Sequence, residues 1–215
     1  EVFLDDALRL KDSGKMFHAF TEEETNSLKE LMLCRRPNWE ILFRLYHDQK
    51  LNPMSFLRSE EFLNILTECC IKDYPYTPFA DAFHTMRSML LPVLYLMGSE
   101  VPKADVYHAI CTGYGGLLAC LGGHVYKKKV LLTEHGIYTR EREEEIIRAK
   151  WVQPAFKKQW ISFFYMLSDI IYTRAFLVSA LFTNAMHAQI QMGCDKGKCR
   201  VVENGINYER LSPIP

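Results

Sequence analysis

A glutamate and a histidine follow an apolar run in the second half of the chain. Val130–Leu132 predicts a short buried strand, and Thr133, Glu134, His135 and Gly136 come directly after it. Ligands of open α/β sheets bind where parallel strands end and loops begin, so these side chains are candidates for contact with a substrate. A neutral imidazole can exchange hydrogen bonds with sugar or phosphate oxygens. The alternative is that both residues only cap the strand.

A second unit of this kind lies upstream. The strand-like run Val106–Ile110 contains His108 and is followed by Thr112–Gly116, which carries three glycines and precedes a predicted helix. Glycines let backbone amides approach a ligand, and a helix N-terminus favours anions. The spacing is neither a dinucleotide fingerprint nor a Walker loop, and close helix–sheet packing explains the glycines equally well. Two such units predict His108 and His135 at the same sheet edge.

Other chemistries have weaker sequence support. His108, His124 and His135 lack the spacing of metal ligands, and no metal site is predicted. A serine hydrolase would need a Gly-x-Ser-x-Gly elbow, which is missing. Cys111 follows a strand, but a buried thiol is the simpler interpretation. Arg140 opens a charged helix, where it either reaches a phosphate or sugar or belongs to a solvated face.

Composition restricts the class of protein. The chain has 26 Lys and Arg residues and 26 Asp and Glu residues, so its formal net charge is zero. This charge does not indicate the basic face that nucleic-acid binding requires. The seven cysteines are odd in number and form no Cys-x-x-Cys, which favours reduced thiols in the cytosol. The most apolar stretches are shorter than the roughly 20 residues of a membrane span. We therefore predict a cytoplasmic protein.

The positions of apolar and turn residues divide the chain into two halves. The first half reads as helices: one begins at Thr21, whose capping box with Glu24 extends it to about Leu33. Further helices are predicted over 39–49, from Ser59 through Cys70, and over Phe79–Met97 with a kink at Pro92. The second half alternates: strands over 104–110, 130–134, 181–183 and 199–202, and helices over 114–122, 139–150, 155–173 and 185–192.

This alternation predicts an α/β fold, a Rossmann-like parallel sheet with helices on both faces. The expected organisation is a helical region at 1–100 packed on the sheet domain, a Rossmann-like domain at 101–210, and the start of an interdomain linker at 211–215.

Three segments together resemble the retaining GT-B glycosyltransferases, and most closely the PelF-type enzymes of Pel exopolysaccharide biosynthesis. They are Leu132–Ile137, Thr139–Arg142 and Val201–Asn207. The resemblance implies that the chain is the N-terminal half of a GT-B fold. The enzyme would transfer a hexose from a UDP-sugar to a growing exopolysaccharide with retention at the anomeric carbon. It implies no cofactor beyond the UDP-sugar substrate, and no metal.

Residue roles follow from the resemblance. His135 matches the family's histidine near the transferred sugar and is the predicted catalytic residue. The predicted substrate-binding residues, on the acceptor side or at the cleft floor, are Glu134, Gly136, Arg140, His108, Tyr114 and Gly115. The turn at Asn204 marks the crossing into a second, donor-binding domain.

The chain departs from the family pattern at both ends, since it lacks the opening strand with its glycine-rich loop and the donor domain. We therefore expect these residues alone to be inactive and to self-associate through a truncated sheet. Expected partners are the UDP-sugar, a polysaccharide acceptor and a membrane-bound synthase complex at the inner face of the cell membrane, but no nucleic acid. Two alternatives are a non-catalytic interaction module of such an assembly and half of a GT-B-fold sugar-nucleotide epimerase.

Overall fold

The computed structural model describes residues 17–205, and its first part is helical. The helices are α1 (Glu22–Met32), α2 (Trp39–Phe43), α3 (Pro53–Leu57), α4 (Glu60–Asp73) and α5 (Phe79–Met97). The capping box of α1 is confirmed: the Glu24 amide donates to Thr21 Oγ1 at 3.3 Å, and the Thr21 amide donates to Glu24 Oε2 at 3.0 Å. Ser59 caps α4 as expected, by accepting from the Phe62 amide.

Two parts of the helical region differ from the sequence prediction. The segment 39–49 is not one α-helix, because α2 passes into a π-helical turn at Arg44–Asp48. The helix α3, which Asn52 caps and Pro53 opens, was not predicted. The long helix α5 continues through Pro92 as an α-helix.

The second part contains a four-stranded, fully parallel sheet in the order β1-β2-β3-β4. The strands are β1 (Val106–Ala109), β2 (Lys129–Glu134), β3 (Leu177–Ala180) and β4 (Cys199–Val201). The connecting helices are α6 (Gly113–Tyr126), α7 (Tyr138–Arg148), α8 (Lys157–Arg174) and α9 (Thr183–Gln191). The predicted Rossmann-like parallel sheet with flanking helices is confirmed.

The helices of the described residues cover one face of this sheet. Strand order follows chain order, so right-handed crossovers place every connecting helix on the same side. On that side Tyr107, Val130 and Val178 are buried, whereas Val106 and Lys129 on the other side are exposed. Helices were predicted on both faces of the sheet. Over residues 17–205 they cover one face and leave the other open.

The third strand lies earlier in the chain than predicted. Leu181–Thr183 was expected to be a strand, but β3 ends at Ala180 and α9 begins at Thr183. The strand position is fixed by pairing, because Leu131 stands opposite Leu177 and Glu134 opposite Ala180. The helix α8 and the strand β3 are both apolar and follow each other directly. The hydrophobic pattern therefore does not show that the helix ends at Arg174.

The helical region and the sheet domain share one hydrophobic core, in which α5 packs on α6. Polar contacts also cross between them: Gln159 donates to the Met32 carbonyl at 2.8 Å, and Arg174 donates to Glu40. Burial raises the pKa of the Glu40 carboxyl, but the hydrogen bonds and charges of Arg174 and His124 together outweigh it, so that the pKa is lowered. Within residues 17–205 no helix is both long and apolar enough to cross a bilayer.

Candidate functional site

The loop after β2 forms the exposed part of the candidate site. His135 and Gly136 are exposed, and Tyr138 then opens α7. In a parallel sheet all strands end at the same edge, so this loop shares its edge with the loop after β1 and with the exit of the chain at Asn204. The Val202 amide donates to the Ala180 carbonyl at 2.8 Å, which carries the β3–β4 pairing to the exit. His135 therefore stands at the carboxyl edge, where α/β proteins bind their ligands.

Gly136 lies against the first turn of α7. A Cβ at this position would clash with Glu141 Oε1, so a larger residue would push the carboxylate away or shift the loop. The close approach of Glu141 places a carboxylate beside the exposed imidazole loop. Carboxylate oxygens there can accept hydrogen bonds from ligand hydroxyls.

Glu134 has a different place from the one predicted. Its side chain is 1% exposed and faces the helices, where Oε2 accepts from Tyr172 Oη at 2.7 Å and from Gln189 Nε2 at 3.0 Å. Burial raises the pKa of the Glu134 carboxyl above its usual value, and the two hydrogen bonds only partly counteract it. The prediction that Glu134 contacts substrate is corrected: in the structure it ties β2 to α8 and α9 beneath the His135 loop.

Tyr138 joins the loops after β1 and β2. Gly113 opens α6 with a φ of +70°, and a Cβ there would lie 2.6 Å from Tyr138 Cε1. Both the left-handed backbone and the tyrosine ring therefore require glycine at this position. The glycine-rich segment thus serves packing at Gly113. Gly122, later in α6, does the same, since a Cβ there would clash with the ring of Tyr107.

Three buried hydroxyl groups lie under these loops. Ser168 of α8 donates to Thr112 Oγ1 at 2.9 Å, and its Oγ is 2.5 Å from Thr139 Oγ1. Thr112 precedes α6 and Thr139 lies in the first turn of α7, so one serine bridges both edge loops. This cluster was not predicted, because its only signal in the sequence is a threonine beside each loop and a serine inside an apolar helix.

His108 does not share the edge with His135. It pairs with Leu131, four residues before His135, which corresponds to about 13 Å along a strand. Its ring lies on the open face of the sheet, where Nε2 is 2.8 Å from Thr133 Oγ1, and Thr133 in turn is 2.7 Å from Ser179 Oγ. The prediction of two histidines at one edge is therefore corrected, because period-two alternation turns His108 to the open face below the edge.

The remaining predicted residues lie around the edge. Gly115 is exposed in the first turn of α6, and Tyr114 is half-buried with its ring 6.2 Å from that of Phe163. Burial raises the pKa of Tyr114, which keeps its hydroxyl neutral and able to donate. Arg140 is exposed on α7 and close enough to Tyr165 for its charge to act on that phenol.

Two helices begin at this edge without a side-chain cap. Neither Thr112, before α6, nor Ile137, before α7, accepts a capping hydrogen bond from its helix. The Tyr138 amide at the start of α7 interacts with the buried Glu134 carboxylate. The other backbone amides of the first turns are directed toward the edge and suit oxygen acceptors of a ligand. Across residues 17–205 no three His, Cys, Asp or Glu side chains stand close enough together to hold a metal ion.

Comparison with known proteins places the chain in a family. The family model described as "Domain of unknown function (DUF3492)" matches residues 5–197. This family is associated with glycosyltransferase-like proteins. No curated protein and no solved structure matches the chain.

Proposed function

We propose that this chain, which belongs to the DUF3492 family, is the acceptor-side domain of a retaining glycosyltransferase. The reaction is transfer of a hexose from a UDP-sugar to a growing exopolysaccharide, as in the PelF-type enzymes that the sequence resembles. A second domain after Asn204 binds the donor nucleotide. The protein acts in the cytoplasm, at the inner face of the membrane beside a membrane-bound synthase complex.

One observation carries this proposal. His135 is exposed at the carboxyl edge of a parallel sheet, between two helix N-termini that lack side-chain caps. This arrangement offers an imidazole and backbone amides to a ligand rich in hydroxyl and phosphate oxygens. The family's association with glycosyltransferase-like proteins gives the same chemical class.

In the proposed reaction the exposed residues position the sugars. His135 contacts the transferred hexose and stabilises charge that develops at its anomeric carbon. Arg140 and the Gly136 loop line the acceptor side, and Tyr114 and Gly115 border the cleft floor. The leaving diphosphate is neutralised mainly by the second domain, so that catalysis depends on positioning and electrostatics.

The buried position of Glu134 bears on the epimerase alternative. An epimerase needs acid and base groups in the cleft, and Glu134 was the carboxylate that the sequence offered for this role. Its side chain is enclosed and bound by Tyr172 and Gln189. Glycosyl transfer needs no such carboxylate in this half, whereas an epimerase would have to use Glu141, the carboxylate beside Gly136.

The proposal is tested with the protein that joins this chain to its donor-binding domain. Release of UDP is measured with a panel of UDP-hexoses, and the anomeric configuration of the product is read by NMR. We expect UDP release with at least one UDP-hexose and retention of configuration. Release with inversion, epimerised UDP-sugar without transfer, or no turnover of any UDP-sugar would each overturn the proposal.

A further inference from the structure

A groove that contains none of the predicted site residues runs between α5 and the segment that links α7 to α8. It has a volume of about 220 Å³. The side chains that matter for its chemistry are Asp81, His84 and Ser88 on one wall and Trp151, Gln153 and Trp160 on the other. We refer to it as the tryptophan groove.

The first wall is the polar stripe of α5. Asp81, His84, Thr85 and Ser88 are spaced three and four residues apart, so they lie on one face of the helix. The opposite face carries buried residues such as Met86 and Leu90. The stripe therefore presents a carboxylate, an imidazole and hydroxyls, which together both donate and accept hydrogen bonds.

The second wall is aromatic. Trp151 is 66% exposed, and its ring centroid lies 5.7 Å from that of Trp160 in an edge-to-face arrangement. Trp160 in turn packs against Phe163 and Phe164 of the core. The neighbouring Val152 is buried and anchors the backbone there, while the indole of Trp151 rests on Trp160 and leaves most of its surface to solvent. An exposed indole that packs on a second aromatic ring offers a stacking surface.

An aromatic face opposite a stripe of hydrogen-bonding groups matches a pyranose ring. The C–H face of the sugar packs on the indole, while its hydroxyls reach carboxylate, imidazole and amide groups. The local charge selects among sugars. Asp81 lies in the groove, and Glu141, Glu144 and Glu145 line an adjoining depression. Two arginines partly balance these four carboxylates, since Arg148 pairs with Glu144 and Arg142 with Glu145. This excess of carboxylates disfavours phosphorylated, sulfated or uronic-acid ligands and suits neutral or amino sugars.

The adjoining depression leads toward His135. It follows α7 and shares Trp151 with the tryptophan groove, and at its other end lies Glu141, which is in contact with Gly136. An 11-residue helix such as α7 is about 16 Å long. A chain of a few sugars can therefore lie along α7 with one end at Trp151 and the other beside the His135 loop.

The geometry points to a binding track for the acceptor polysaccharide, in which Trp151 stacks on a neutral or amino sugar several units away from the growing end. This inference rests on the proposed function. Trp151 is a positioning residue in this account, because it holds the acceptor and does not touch the reacting atoms.

Binding is tested by titrating the 215-residue chain with chitotetraose, cellotetraose and maltotetraose in a calorimeter. Trp151→Ala removes the stacking surface and Asp81→Asn removes a carboxylate acceptor. Phe176→Ala is the control, since this aromatic side chain is 58% exposed and lies beside Lys129 on the open side of the sheet. We expect at least one oligosaccharide to bind, Trp151→Ala to weaken it about tenfold or more, and Phe176→Ala to have no effect.

The outcomes separate this inference from the proposed function. In the protein with its donor domain, Trp151→Ala should raise KM for the acceptor and leave both kcat and KM for the UDP-sugar unchanged. Oligosaccharide binding that Trp151→Ala weakens, without turnover of any UDP-sugar, would support the track and overturn the proposed transfer reaction. If no oligosaccharide binds, if Trp151→Ala binds as tightly as wild type, or if a sulfated oligosaccharide binds more tightly than a neutral one, the track is refuted.

Discussion

At the level of single residues, neighbouring positions of the His135 loop differ in role: the exposed ones can contact a ligand, and the buried one supports the loop. His135 and Gly136 face solvent, whereas the adjacent Glu134 supports the loop from below. Sequence reasoning located the loop, because an apolar run that ends in polar residues marks a strand end. It could not assign Glu134 correctly, because its partners Tyr172 and Gln189 lie 38 and 55 residues away in the chain.

The burial of Glu134 predicts how stability depends on pH. Its pKa is raised in the folded state, so above the ordinary value of about 4.3 the unfolded chain loses this proton first. Stability contributed by the neutral carboxyl is therefore lost as the pH rises through the folded pKa. Glu134→Gln should lose less stability than wild type between about pH 5 and about pH 8 in urea unfolding. Equal losses in both proteins would show that Glu134 titrates normally.

The structure predicts that position 113 requires glycine. Gly113→Ala should lower the free energy of unfolding by at least about 1–2 kcal/mol, because the φ of +70° disfavours alanine and the new Cβ meets Tyr138. The control is Gly115→Ala in the same helix, whose Cβ would lie at an ordinary 3.4 Å from the Sγ of Cys111, which precedes the helix. Denaturant unfolding should show Gly115→Ala to be neutral or stabilising. Equal stability of the two variants would contradict the assigned backbone conformation.

At the scale of elements, α8 is the support of the candidate site. Through Ser168 it binds the segments at the starts of α6 and α7, and through Tyr172 it binds Glu134 at the end of β2. These side chains lie on consecutive turns of one helix. The positions of the edge loops therefore depend on how α8 packs under the sheet.

This role of α8 can be tested by removing one hydroxyl. Ser168→Ala leaves the hydroxyls of Thr112 and Thr139 without their shared partner and should destabilise the fold by about 1–3 kcal/mol. Hydrogen exchange should also become faster at Cys111–Gly115 and His135–Thr139. Ser162→Ala, a partly exposed position on the same helix, serves as the control and should change neither quantity. Unchanged exchange in Ser168→Ala would mean that the hydroxyl cluster does not hold the loops.

The elements also show what the sequence could predict. Capping residues and proline breaks gave α1, α4 and α5 nearly to their ends, since local chemistry sets those boundaries. The boundary between α8 and β3 was missed because both are apolar, and only pairing with β2 fixes it. The position of His108 could not be predicted for the same reason, because it depends on the pairing of His108 with Leu131 in β2.

At the scale of the whole molecule, the sheet is packed on one side and open on the other over residues 17–205. The open side and the edge strand β1 expose Val106 and Ile110, at 46% and 71% of their surface. In the described part of the chain no strand pairs with the outer edge of β1. Exposed apolar side chains on an unpaired edge favour association of sheets.

We therefore expect the 215-residue chain to self-associate as its concentration rises, which sedimentation velocity can measure. Val106→Lys should shift the distribution toward monomer by placing a charge on the edge strand. Ile147→Lys, at an exposed position on α7, is the matched control and should leave the distribution unchanged. A wild-type chain that stays monomeric at all concentrations would show that the open sheet side does not bind another copy.

In the proposed function, the carboxyl edge around His135 is the site of glycosyl transfer. The most direct measurement is the rate of UDP release from a UDP-hexose by the protein that contains both domains, as wild type and as His135→Ala. His187→Ala is the control, since this histidine is also exposed but lies on α9. We expect kcat to fall about 100-fold or more in His135→Ala and to be unchanged in His187→Ala. A His135→Ala enzyme that turns over at the wild-type rate would contradict the claim.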